Sequence, residues 1–333
     1  MRVAVSGSTG LVGSEVVASL SAAGHEVVRL VRRAPAPGEK AVRWDPEKGE
    51  IDAAGLEGFD AVIHLAGENI ASGRWNAARK AAIRDSRVNG TRLLCDTLAG
   101  LARPPKTLVC ASAIGFYGDR GEEPLTEDSP VGAGFLAEVC REWEAASAPA
   151  VQKGIRVVTL RIGVVLSSKG GALSRMLPLF RAGLGGVIGS GRQYVSWVAL
   201  DDLPGIVLHA LSREDLRGPV NAVAPVPVTN RELTDALGKV LSRPTLLPVP
   251  AFALRLAVGE MADALLLASA RGIPRRLEET GYPFRFPELG AALRHLLAKG
   301  VRGTFLPRGD IPGSDPGRRE GVSSHCGKEC PPP

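Results

Sequence analysis

The 333-residue sequence contains no apolar run near the roughly 18 residues that a membrane span requires. Its first residues enter a strand-like segment directly, without the charged leader and apolar core of a secretory signal. A cytoplasmic protein with no membrane partner is expected. Cysteine is scarce, and its five copies, Cys95, Cys110, Cys140, Cys326 and Cys330, are odd in number. The first three fall in apolar helix or strand contexts, which argues against a disulfide framework and for reduced, buried thiols. His325 joins Cys326 and Cys330 near the C-terminus. Three candidate ligands without a second pair do not make a metal site, so no metal is expected.

The formal net charge is +6, yet no basic stripe interleaved with aromatic residues occurs. Basic residues are scattered apart from short pairs such as Arg32 with Arg33 and Arg275 with Arg276. That distribution argues against nucleic acid and leaves a small-molecule substrate as the expected partner. An oligomeric state cannot be read from it. With 44% hydrophobic content the chain can bury one large core, or a large core with a smaller lobe.

What is present begins at once. A strand-like run over residues 2–6 leads into Gly7, Ser8, Thr9, Gly10, Leu11, Val12 and Gly13, spaced G-x-x-G-x-x-G. Glycine, without a Cβ, permits a tight turn and lets backbone N–H groups approach a pyrophosphate, which the positive end of the following helix then stabilises. A tight turn that binds nothing would carry glycines too. Here a strand precedes the pattern, an apolar helix follows over 11–23 and a second strand over 26–31, so a dinucleotide site is the better reading.

Strands and helices keep alternating, with strands expected at 60–65, 107–111 and 156–160 and helices at 76–101 and 135–153. This is the pattern of an α/β fold with a doubly wound parallel (Rossmann) sheet, whose ligands sit at the carboxyl ends of the strands. A dinucleotide-binding domain over 1–165 is followed by a smaller, mostly helical substrate lobe over 166–299, interrupted by returns to the core at 195–211 and 219–223. Within 248–299, apolar spacing through Phe252, Leu256 and Met261, and through Leu289, Leu293 and Leu296, reads as core-facing helix. Residues 301–333, rich in Gly, Pro and charge, are expected to be disordered.

Cofactor choice is decided at the end of the second strand. An NAD site places an acid there for the ribose 2′-hydroxyl, whereas this sequence offers Val31, Arg32 and Arg33, which favour a 2′-phosphate and hence NADP(H). A solvated basic pair at a loop start is the bland alternative.

The motifs together resemble an extended short-chain dehydrogenase/reductase. They are the glycine turn, Leu65-Ala66-Gly67-Glu68-Asn69 after the third strand, Ser112 through Tyr117-Gly118-Asp119 after the fourth, and Arg161-Ile162-Gly163 after the fifth. Leu184-Gly185-Gly186, residues 189–193, Trp197, residues 201–203, residues 249–251 and Gly259-Glu260 are similar to the atypical YfcH-like epimerase branch and its small C-terminal domain of unknown function. The resemblance covers residues 1–299. It implies an NADP(H) site running over Gly7 to Val12 and beside Arg32, with the adenine and ribose end near Leu65, Ala66 and Gly67, and with Arg87 and Arg161 as further contacts. Arg87 could equally cap or salt-bridge its own helix.

The resemblance breaks at catalysis. Typical members use a Ser or Thr with Y-x-x-x-K, where the tyrosine shuttles a proton and the lysine lowers its pKa. Here the serine position is Ala113, the tyrosine and lysine positions fall on Phe135 and Val139, and no Y-x-x-x-K occurs anywhere. Either other groups serve, with Ser112, Tyr117, Glu68 (if it is buried) and Tyr194 as polar candidates, or the protein binds the cofactor without turnover. Tyr117 could also be a packing aromatic, and Ser112 a hydroxyl satisfying its loop. Arg192, Tyr194 and Trp197, around a glycine-rich loop, are the candidate substrate contacts, Arg192 for a carboxylate or phosphate. Asp201 and Asp202 read as a helix N-cap rather than metal ligands.

Overall fold

The computed structural model describes residues 1–301, with the side chains of residues 1–298. The tail expected to be disordered, with Cys326 and Cys330, lies outside the described residues. The first half alternates as expected through β1 (Arg2–Ser6), α1 (Leu11–Ala22), β2 (Glu26–Val31), β3 (Ala41–Asp45), a short β4 (Glu50–Ile51), β5 (Ala61–His64), α2 (Ala77–Gly100) and β6 (Thr107–Ala113). Strands β3 and β4 were not foreseen. Asn76 caps α2 by accepting from the Arg79 backbone N–H, so this boundary falls where the sequence puts it.

After the short β7 (Pro124–Leu125), the single helix expected over 135–153 is two, α3 (Phe135–Ala145) and α4 (Ala148–Gln152). Pro149 lies in the first turn of α4. A proline has no N–H to continue a helix but fits its first turn, so the chain restarts there. Next come β8 (Arg156–Ile162), β9 (Val164–Leu166), α5 (Gly171–Arg181), β10 (Tyr194–Val195), β11 (Trp197–Ala199), α6 (Leu203–Ser212) and β12 (Gly218–Ala222). The remainder is mostly helical: α7 (Asn230–Leu241), α8 (Ala251–Val258), α9 (Arg275–Glu279) and α10 (Leu289–Val301).

Eight strands form one sheet in the order β12-β8-β6-β5-β1-β2-β3-β4, parallel throughout except for β3 with β4. The order reverses at β1, which pairs with β2 on one side and β5 on the other, so the switch point at which such sheets receive ligands lies at the carboxyl ends of β1 and β5. Strand period divides the core between the two faces. Val3 and Val5 pack with α1 and α6 residues such as Val16, Leu20 and Ile206, whereas Ala4 faces Leu94 and Leu98 of α2.

A third cluster joins α5, α7 and α10, and there Leu289, Leu293 and Leu296 are buried as expected. Phe252 and Leu256 correct the sequence reading, being 72% and 78% exposed. Their four-residue spacing identifies a helix stripe but cannot say what covers it, and α8 has no buried residue. Cys95, Cys110 and Cys140 are buried and unbridged, and burial pushes the Cys140 thiol up to about 12. No helix among the described residues is long and apolar enough to cross a membrane.

Candidate dinucleotide site

Three glycines shape the turn between β1 and α1 in different ways. Gly7 has φ +66°, and a Cβ there would stand 2.7 Å from the Leu65 carbonyl carbon and 2.8 Å from the Ala66 nitrogen. A Cβ on Gly13 would stand 2.1 Å from the Gly7 carbonyl oxygen. These two are demanded by the protein's own backbone, Gly7 for the turn and Gly13 for packing the helix against it. Gly10 differs. It precedes α1 in an extended conformation, φ −72° and ψ 171°, and supplies no side-chain cap. The first N–H groups of α1 therefore face the crevice mouth without a capping side chain, which is the arrangement that receives phosphate oxygens. Ser8 is buried, Thr9 and Gly10 are exposed, and Leu11 and Val12 are partly buried beside them.

Under the turn lies a polar network that the sequence reading missed. His64, fully buried at the end of β5, pairs through Nδ1 with Ser6 Oγ at 2.6 Å and through Nε2 with Thr91 Oγ1 at 3.0 Å. Ser6 Oγ also accepts from the Leu65 N–H, and Thr91 Oγ1 from Trp143 Nε1. The network thus ties β1, β5, α2 and α3 together beneath the site. Burial holds the imidazole at about 4, against 6.5 for a free histidine. A base with a depressed folded pKa contributes stability that is complete above the unfolded value and falls away as pH drops toward the folded one. Unfolding free energy is expected to fall by on the order of 2–3 kcal/mol between pH 6.5 and about 4, and chemical denaturation of a His64→Gln variant should show a flatter profile over that window.

Arg87 reaches the crevice from α2. Its guanidinium lies 3.3 Å from where a Cβ on Gly67 would stand, donates to the Ile83 carbonyl at 3.0 Å and rests 5.1 Å from the Trp143 ring. Burial pulls it below the usual arginine range, and it forms no ion pair among the described residues. Its hydrogen-bond acceptor in the protein is a neutral carbonyl, so its charge is not balanced by a carboxylate there. Val31, Arg32 and Arg33 stand at the end of β2. The Arg32 side chain is 68% exposed and pairs with Glu47 at 3.1 Å, and Arg33 pairs with Glu39 at 2.6 Å.

The catalytic candidates are not gathered into the crevice. Ser112 is buried and its Oγ donates to Glu144 at 2.7 Å. Arg161, expected at the cofactor, instead grips the Glu144 carboxylate bidentately at 2.9 Å from Nε and 2.9 Å from Nη2, and stacks 3.5 Å from the Phe116 ring centroid. Tyr117 is fully buried. Its hydroxyl accepts from Arg161 Nη1 at 2.9 Å and lies 2.8 Å from Asn221 Oδ1 and 2.9 Å from the Thr126 carbonyl. Burial pushes this phenol up, away from proton exchange. These three residues tie β6, β8 and β12 together.

Glu68 is not buried in the way a catalytic role required, being 43% exposed and paired with Arg79 at 2.9 Å. Trp197 is wholly buried in the third cluster, with Nε1 bonded to the Val226 carbonyl. Arg192 is exposed on its loop, and Tyr194 is partly buried, 5.1 Å from the Arg271 guanidinium. Asp202 precedes α6 but does not cap it with its side chain. Its carboxylate accepts from the Arg285 and Phe286 N–H groups, anchoring the segment before α10, a long-range role invisible in the local pattern.

A Rossmann sheet whose first strand enters its helix through a glycine turn with an uncapped helix start is the architecture of a dinucleotide-binding protein. The chain belongs to the NAD dependent epimerase/dehydratase family, whose pattern matches residues 3–222, and residues 249–296 match a domain of unknown function (DUF1731). It is 48% identical over 293 residues to an epimerase family protein of Mycobacterium tuberculosis, covering 87% of this chain and 96% of that one. Among solved structures, the human epimerase family protein SDR39U1 (isoform 2) with NADPH is similar at TM-score 0.83 and 38% identity, covering 90% of this chain and 99% of the human one. A nucleoside-diphosphate sugar epimerase from Corynebacterium glutamicum gives TM-score 0.75 at 41% identity, over 90% of this chain and 58% of the other.

Proposed function

We propose that this cytoplasmic protein binds NADP(H) along the glycine turn and exchanges hydride with a small polar or sugar-nucleotide-like substrate. The observation that carries the cofactor half is the pairing of an uncapped α1 N-terminus with the desolvated, unpaired Arg87 on the same crevice. NADPH is the cofactor named with the human relative, which lends the 2′-phosphate weight. Arg32 is the residue to receive that phosphate, because its present partner Glu47 is 77% exposed and such surface pairs are weak, near 0–1 kcal/mol. Arg32→Ala is expected to weaken NADPH about tenfold and leave NADH unchanged, read by fluorescence titration. Equal losses for both cofactors would remove the NADP preference.

A second reading, binding without turnover, is favoured by one observation. The positions where the resemblance places the proton relay hold apolar side chains, with Val139 buried and the Phe135 ring stacked edge-on against Trp75 at 5.2 Å. Deuterium transfer from labelled NADPH into a panel of carbonyl and sugar-nucleotide compounds separates the two. Incorporation into any of them supports hydride exchange, and tight binding with none supports a cofactor-sensing role.

A further inference from the structure

Phe135 opens α3 at the carboxyl side of the sheet, and a cation from a different element stands over it. The Lys80 ammonium, in the first turns of α2, is 5.0 Å from the Phe135 ring centroid. Both oxygens of Glu260 hold it, at 2.8 and 3.0 Å, from the turn that follows α8. Trp75 closes the other side, its ring at 72° to that of Phe135 and its Nε1 bonded to the Ile70 carbonyl. Arg74, one residue earlier, comes within 3.5 Å of where a Cβ on Gly259 would stand and forms no ion pair among the described residues.

A carboxylate contributed by the C-terminal segment is thus held on Lys80, whose ammonium lies over the Phe135 ring with Trp75 packed edge-on against that ring, while Arg74 lies beside the neighbouring Gly259. The Lys80 side chain is only 31% exposed, whereas Glu260, at 55%, can swing into water at little cost. A carboxylate seated on a half-buried ammonium shows which chemistry the position accepts. The aromatic walls add a favourable surface for the face of a carbonyl compound or sugar ring.

We propose that Lys80, with Arg74, is a substrate-anion site that Glu260 occupies in the absence of substrate, so that the substrate carries a carboxylate or phosphate group which displaces Glu260. This rests on the cofactor reading, since it places the anion beside the reacting end of a bound dinucleotide. It also gives the C-terminal segment a role as a competing occupant rather than a mere wall.

The full chain saturated with NADP⁺, so that the glycine turn is filled, is titrated calorimetrically with inorganic phosphate in one arm and malonate in the other. Removing the resident carboxylate in Glu260→Ala is expected to tighten at least one anion about tenfold over the unsubstituted protein. The arm that responds names the group, and adding Lys80→Met to Glu260→Ala should abolish the gain. No gain in either arm, or a gain that survives loss of Lys80, overturns the proposal. Failure of NADP⁺ to load would count against the cofactor reading instead, and it is seen before any anion is added.

Discussion

Arg161→Ala is expected to destabilise the protein by about 3–5 kcal/mol, the cost of leaving one partner of a buried ion pair uncompensated. The Arg161 and Glu144 side chains are 5% and 17% exposed, so the pair is held out of bulk water. Removal strands the Glu144 carboxylate with Ser112 as its remaining side-chain donor, takes a donor from the Tyr117 hydroxyl and frees the Glu127 carbonyl. Urea denaturation of the variant should show this loss with the slope unchanged. Had Arg161 been a cofactor contact, stability would move little and NADPH affinity would fall. The two outcomes separate cleanly.

Gly10→Val should do the reverse. Nothing in the protein forbids a side chain there as it does at the neighbouring glycines, since the nearest atom to an added Cβ is the Gly7 carbonyl oxygen at 3.2 Å and the backbone is extended. What a side chain would occupy is the approach to the first N–H groups of α1. NADPH affinity is expected to fall at least about a thousandfold, roughly 4 kcal/mol, while stability drops by about 1 kcal/mol from the poorer N-cap. Gly13→Ala provides the contrast. Its Cβ would meet the Gly7 oxygen at 2.1 Å, so stability and binding should fall together.

The sheet was legible because its signals are local. Residues 2–6 and 26–31 are continuous strands around a glycine turn, and Asn76 marks a helix start by its own chemistry. Parallel strands covered on both faces announce themselves by unbroken apolar runs. The glycine turn was legible for the same reason. What could not be read were side chains whose meaning depends on distant partners. Nothing local marks that Arg161 grips Glu144, 17 positions earlier. Tyr117 meets Asn221 across 104 residues, and Trp197 gives no local sign of being enclosed by α5, α7 and α10. His64 ends a strand of buried apolar residues, and only its contacts with Ser6 and Thr91 show why a histidine is tolerated there. Phe252 and Leu256 failed in the opposite sense, their spacing being right for a buried stripe that the fold leaves open.

The proposed function requires one dinucleotide seated at the glycine turn and chosen by Arg32. Calorimetric titration of the purified protein with NADPH and, separately, NADH tests it most directly. The predicted result is saturable one-to-one binding of NADPH, with NADH at least about tenfold weaker. Absence of saturable NADPH binding would contradict it.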